Sequence, residues 1–376
     1  MLLPQTAHMQ QTVRIVICFS LLFAGSVQAQ TARKYSNEFL AIGVGARALG
    51  MSGAFVTAAD DATSGYWNPA GLTGIQSKFQ GALMHSEYFA GIAKYDFGSL
   101  AIRIDPKSVM AVSVIRFGVD DIPDTSELID ANGNINYDRI TSFSAADYGF
   151  LFSYARQLKK PGLSVGANAK VIHRVVGDFA KSWGFGLDAG VQYKPGKWRY
   201  AAMARDITST FNAWSYNLSE SQRDAFNKTG NTIPENSLEI TLPTLTLGIA
   251  RKFQLGEKFT LLSEVNMQTT FDGMRNTLIR DKAFSMSPVV GIETGFINRI
   301  FLRAGVGNFQ TIQNDENTGR ITTYQPNIGL GIRIKSIYID YSLTDIGDAS
   351  TALYSNIFSL RFDINAANKS ESGTSK

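Results

Sequence analysis

Beyond Thr73 the sequence alternates with a period of two, and that restricts the folds open to it. Phe185, Leu187, Ala189, Val191 and Tyr193 alternate with Gly184, Gly186, Asp188, Gly190, Gln192 and Lys194. Leu163, Val165, Ala167, Ala169 and Val171 alternate with Ser164, Gly166, Asn168 and Lys170, and the pattern returns from Ile337 to Thr344. Successive strand side chains point to opposite faces, so each run makes one apolar wall and one wet or polar-packed wall. The runs last about nine to eleven residues, the length a tilted strand needs to cross a membrane. A soluble sandwich would use shorter strands and turn the apolar face inward. Charged residues make up only 18% of the chain and aromatics 11%, with 34 glycines, which fits a lipid-facing outer wall.

Counting such runs predicts an antiparallel transmembrane β-barrel of about fourteen strands. Their centres fall near Leu83, Phe97, Val112, Phe152, Ala167, Ala189, Ala202, Leu247, Leu261, Ile292, Leu302, Leu330, Ile339 and Leu360. Short links such as Lys194-Pro195-Gly196-Lys197 and Leu255-Gly256-Glu257-Lys258 read as tight periplasmic turns. Longer polar links at 120–141, 208–239, 272–282 and 310–323 read as external loops, with one short helix expected over Glu220–Phe226. The last strand, Ile357 to Ile364, must pair with the first to hide both edges.

The first twenty-nine residues read as a secretory leader: one charge, Arg14, an apolar run from Ile15 to Ala24, and cleavage expected after Ala29. The only cysteine, Cys18, lies inside it, so the mature chain has no thiol for disulfides, metal ligation or nucleophilic attack. Losing Arg14 takes one unit from a net charge of +4, and so mild an excess makes no case for nucleic acid. The expected organisation is a leader over 1–29, an internal hatch or plug over 30–72, the barrel over 73–365 and a disordered polar tail over 366–376. Its expected location is the cell outer membrane, where lipid is the first partner.

Several constellations deserve a chemical reading. His85 and His173 sit in different predicted strands, too far apart for a metal pair. A Ser–His hydrolase at the rim would use His173, but an interfacial histidine near a strand end is the simpler account. Asp130, Asn132, Asn134, Asn136 and Asp138 alternate oxygen donors, yet Gly133 and Thr141 break the calcium-loop pattern, and a hairpin turn at Asn132-Gly133 fits better. Trp183 and Trp198 at strand starts read as an aromatic girdle. No catalytic residue, metal or cofactor is implied.

Tyr35 to Leu72 stands apart, rich in Gly and Ala, with Asp60-Asp61 before an Asn68-Pro69-Ala70-Gly71 turn. Asp60 or Asp61 is placed to cap a short helix through Tyr66, and Asn68-Pro69 to stop it. Asp60, Asp61, Trp67, Asn68, Pro69 and Gly71 are therefore candidate lumen residues. They belong either to a plug filling a wide barrel or to a hatch shaping a ligand path. The run Glu38-Phe39-Leu40, Gly43, Gly45-Ala46-Arg47-Ala48-Leu49-Gly50-Met51 and Asp60-Asp61-Ala62 resembles the PorV/PorQ family of outer-membrane barrels, cousins of the FadL fatty-acid transporters. Ser52 and Ser64-Gly65 depart from the family's smaller residues. The resemblance implies service in the type IX secretion system of Bacteroidetes. PorV-like barrels take cargo proteins from the translocon to the attachment machinery, and PorQ-like ones hold an attachment-complex component. On that implication Ile122, Pro123, Leu128 and Ile129 are candidate partner-binding loop residues. The alternative is a FadL-like channel for hydrophobic small molecules.

Overall fold

The computed structural model describes residues 36–129, 133–313, 319–346 and 354–365. The leader, its cleavage point and the C-terminal tail lie outside these residues. Strands β1 (Phe79–Tyr88), β2 (Ala93–Asp105), β3 (Ser108–Asp124), β4 (Thr141–Gln157), β5 (Leu163–Val176) and β6 (Ala180–Tyr193) form an antiparallel meander. It continues through β7 (Trp198–Arg205), β8 (Thr210–Tyr216), β9 (Ser237–Thr241), β10 (Thr244–Leu255), β11 (Phe259–Thr270) and β12 (Ile279–Arg280). The last five strands are β13 (Ser285–Phe296), β14 (Ile300–Gln313), β15 (Arg320–Ile334), β16 (Ile337–Thr344) and β17 (Ser355–Ile364). β7 and β8 share one place in the ladder, as do β9 and β10, and the two-residue β12 only borders β13. The wall therefore has fourteen strand positions. β17 pairs with β1 from Phe79↔Ile364 to Glu87↔Asn356, which closes the barrel and leaves no free edge.

The predicted facing holds. Trp183, Phe185 and Leu187 of β6 are 43–49% exposed and point outward, while Ser182, Asp188 and Gln192 are buried against the lumen. No described helix is long and apolar enough to cross a membrane. The strands do so, because pairing around a closed wall satisfies every backbone group that lipid cannot. Trp183 on β6 and Trp198 at the start of β7 face outward near opposite ends of the barrel. Trp183 stacks on His173 at 4.0 Å and Trp198 on Tyr200 at 6.3 Å.

The expected external loops are shorter than the sequence suggested, because strands run on past the membrane band. β3 and β4 are 17 residues each and pair to Asp124↔Thr141. β2 leaves β3 at Val119, and β5 leaves β4 at Ala145. The hairpin thus rises four residues above its neighbours, counted along β4, about 13 Å. A bulge between Val119 and Ile122, with Asp121 at φ 57°, marks its departure. Ile122 and Pro123, expected in a loop, are strand residues of this projection. β8 and β9 likewise occupy both ends of the stretch expected as a loop over 208–239. The helix within that stretch, α3, runs Glu220–Lys228 behind a Ser219/Gln222 capping box.

The wall also breaks step between β7 and β8. Asp206 and Ser209 take φ 56° between β7 and β8, opposite Leu242-Pro243 between β9 and β10. Proline has no N–H to give the ladder, so the break sits where it costs least.

Facing can be tested directly. Leu187→Arg should weaken insertion into lipid vesicles by about 2–4 kcal/mol near the midplane, measured by a folding titration. Unchanged folding would mean that β6 faces the other way.

Candidate functional site

The segment from Ser36 to Ile75 fills the lumen. Its regular structure is slight: a 3-10 turn at Glu38–Leu40, helix α1 (Ala46–Leu49), helix α2 (Ser64–Trp67) and a 3-10 turn at Pro69–Gly74. Its turns pair many of its backbone groups internally, and those left over, as at Thr57, Ala58 and Ala62, must find partners elsewhere. The barrel wall supplies them. The Glu264 carboxylate on β11 accepts the Thr57 and Ala58 amides at 2.8 and 2.9 Å. Gln192 on β6 donates to the Val56 and Ala59 carbonyls at 3.0 Å each. Gln80 on β1 accepts the Ala62 amide at 2.7 Å, and Asn168 on β5 donates to the Gly65 carbonyl at 2.7 Å. Ser359 on β17 accepts the Ala46 amide, and Asn327 on β15 donates to the Leu49 carbonyl.

Packing divides the hatch into two flanks. Phe39, Val44, Tyr66, Leu72 and Ile75 bury themselves against Met84, Tyr95, Phe97, Ile115, Leu151 and Ile172 on β1 to β5. The opposite flank is ionic. Arg47 on α1 reaches Glu293 on β13 through Nε at 2.8 Å and Nη2 at 2.9 Å, and Asp60 through Nη1 at 2.7 Å. Asp61 pairs with Arg361 on β17, and Arg303 on β14 bridges Glu293 and Asp340 at 2.7 Å each. Burial alone would raise the Asp60 carboxyl, but the charges of Arg47, Lys194 and Arg199 together with the Arg47 hydrogen bond outweigh it and hold the group at about 2.

Close approach needs small residues on the wall. A Cβ at Gly166 would lie 2.5 Å from the Ala70 nitrogen, and one at Gly291 would lie 2.7 Å from the Met51 carbonyl oxygen. The glycines of the polar strand faces are thus contact points for the hatch.

Each candidate lumen residue has a defined place. Asp61 also accepts from the Thr63 amide at 2.9 Å and its hydroxyl at 2.6 Å, which shapes the entry to α2. Trp67 donates to the Val44 carbonyl at 2.8 Å and packs edge-on to Tyr66 at 5.0 Å. Asn68 ends α2 in an extended conformation, accepts the Ala70 amide at 3.1 Å, and donates to Val191 at 3.2 Å. Pro69 opens the following 3-10 turn, and Gly71 sits where a Cβ would strike the Ala59 carbonyl. Leu128 and Ile129 lie beyond the β3–β4 projection, away from this site. Arg47, Glu293, Arg361, Glu264 and Gln192 were not singled out in the sequence. Only Arg47 stood in a conspicuous motif, and its partners are 246 and 13 residues away.

Two cavities bear on function. One of about 80 Å³ lies in the lumen toward the long-loop end, where the charged groups of Glu38, Lys170, Arg205, Asp206 and Arg275 meet the apolar Leu40, Leu242 and Phe271. The other, about 550 Å³, is an open hollow over Gly98 on the lipid-facing wall. Leu83, Val114, Ile339, Phe358 and Leu360 line it, with His85, Asp96 and Arg116 at its edge. His85 Nδ1 lies 2.7 Å from Asp96 there, whereas the His173 Nδ1 meets the Ser182 carbonyl oxygen, not a hydroxyl.

No family model matches the chain, and no curated protein matches it. Solved structures do. The monoaromatic hydrocarbon channel CymD aligns with a TM-score of 0.52 at 14% identity, covering 86% of this chain and 98% of its own. The toluene transporter TodX of P. putida gives 0.52 at 14%, covering 86% and 99%. A FadL homologue of Pseudomonas aeruginosa gives 0.51 at 12%, covering 84% and 97%. The fold is that of a FadL-like outer-membrane barrel. Its closed wall and apolar outer face place the chain in an outer membrane.

The ionic flank predicts a closed pore. Arg47→Gln would leave Glu293 and Asp60 short of their main partner at a cost on the order of 3–5 kcal/mol. In planar bilayers the wild-type barrel should be silent and this variant should flicker open; two silent proteins would mean that the ion pairs do not hold the hatch. The Asp60 carboxyl titrates lower in the fold than its unfolded value of about 4. Its stabilising effect is therefore present above that value and is lost as pH falls toward 2. Openings should increase across this window and should lose that dependence in Asp60→Asn, a shift read from the same recordings.

Proposed function

We propose that the protein is a non-enzymatic outer-membrane platform that holds a protein partner at its external end, in the manner of the PorV/PorQ barrels. The observation that carries this reading is the β3–β4 projection and the loop at its tip. Ile129 and Ile135 pair across that loop, and the Asn136 amide donates to the Leu128 carbonyl at 2.8 Å. Ile129, Ile135 and Tyr137 are nonetheless 58%, 60% and 72% exposed. Apolar side chains raised on a stiff hairpin above a membrane suit contact with another protein. The lumen beneath is packed by the hatch, and its cavity near the long loops is small and crossed by the charges of Glu38, Lys170, Arg205, Asp206 and Arg275, a poor path for an oily solute. The assignment to type IX secretion, with translocon, cargo or attachment-complex proteins as partners, is supported by the resemblance of Glu38–Leu72 alone.

A second reading has its own support. The similar solved structures include a monoaromatic hydrocarbon channel and a toluene transporter. The apolar hollow over Gly98 is the feature of this chain that would receive a small hydrophobic solute, from the lipid side.

The two readings part in a deletion strain complemented with either wild type or Ile129→Lys/Ile135→Lys. The platform reading expects the double variant to assemble normally and to lose partner capture and secreted-protein release. Normal secretion together with defective toluene uptake in the deletion strain would replace it with the channel.

A further inference from the structure

The two ends of the barrel carry opposite charge, and the basic end forms a ring. Six short turns join strands at the end where the barrel begins and finishes. Each presents an exposed cation: Lys107, Lys160, Lys197, Lys258, Arg299 and Lys335. Exposed Lys78 stands at the seam between β17 and β1 and completes the circuit. Acidic groups at this end are few. Asp105 is turned back on the Lys107 amide at 2.7 Å, Asp363 faces inward to Ser77 and Gln80, and Glu257 is exposed. At the opposite end the β3–β4 projection alone carries Asp120, Asp121, Asp124, Glu127 and Asp138.

We propose that the basic ring binds the phosphate head groups of anionic phospholipid in the leaflet on the turn side. The ring's distribution decides between a lipid and a protein partner. A protein would dock on one sector of the rim and would leave its charges concentrated there. Lipid surrounds a barrel on all sides, and here every hairpin contributes. Cations just beyond the apolar band also lie at the level of the head groups. The outward side chains at that level are of the interfacial kind: Arg251 lies over the Trp198 ring at 5.0 Å and over Phe253 at 4.9 Å, with Tyr200 beside Trp198. Aromatic rings at the boundary and cations beyond them are what a phosphate layer selects. The ring would fix the depth and tilt of the barrel. The acidic hairpin, which a phosphate layer repels, would stay clear for its partner.

The test uses the full mature protein in nanodiscs of phosphatidylethanolamine with either phosphatidylglycerol or phosphatidylcholine, ejected in native mass spectrometry. Wild type should retain phosphatidylglycerol severalfold over phosphatidylcholine, and high salt before ejection should erase the preference. Two variant sets, Lys160→Glu/Lys258→Glu/Arg299→Glu and Lys107→Glu/Lys197→Glu/Lys335→Glu, should each lose it. Assembly is checked by heat-modified gel mobility, and a set that assembles carries the result if the other does not. Equal retention of both lipids by wild type, or a preference unchanged in an assembled variant set, would overturn the proposal. So would capture of an acidic soluble protein by wild type with no lipid preference.

Discussion

The structure depends on one constraint: a lumen too wide for strand side chains to fill must be occupied by backbone, and buried backbone must be hydrogen-bonded. The turns of the hatch make part of those bonds internally and leave the rest to the wall. Glu264, Gln192, Gln80, Asn168, Asn327 and Ser359, each on a different strand, supply them from around the wall. The polar inner face that alternation demands is therefore the complement of a particular peptide, not simply a wetted surface. The same need explains the inward glycines, which let the hatch backbone approach within contact of the wall.

Charge adds direction to this fit. Apolar packing against β1 to β5 is tolerant of small shifts, whereas the paired Arg47, Glu293, Asp61 and Arg361 fix the other flank in one register. A buried pair gains little over apolar packing, but removing one member strands the other. Such a network resists opening more than it adds to folding. Asp188 on β6 is likewise locked, with Lys170 at 2.8 Å, and accepts the Asp206 amide. Its neutral form would leave a buried lysine facing Asp206 alone.

Much of the fold was legible in the sequence, and for a clear reason. All fourteen expected strand centres fall within strands, each at its own position around the wall, because period-two burial is a local signal. Strand ends were not legible. Asp120 to Asp124 is rich in carboxylates and reads as loop, since outside the membrane band pairing no longer needs an apolar face, and Thr210 to Tyr216 merges into the long polar stretch that follows it. The hatch was visible as a small-residue segment with a stop at Asn68-Pro69, and α2 does end there. Its partners were hidden, because a Glu at 264 or 293 among alternating strand residues looks like any other inward polar group. Ser52, where the family resemblance favours a smaller residue, takes φ 55°, a region that glycine occupies more easily.

Amide hydrogen exchange on the intact barrel in membranes tests the central claim most directly, that the wall holds the hatch as part of one structure. The Thr57, Ala58 and Ala62 amides, bonded to Glu264 and Gln80, should exchange as slowly as the amides of β11 and β1. Exchange of these three within seconds while the strands stay protected would contradict it, and would make the hatch a loose occupant of an independent barrel.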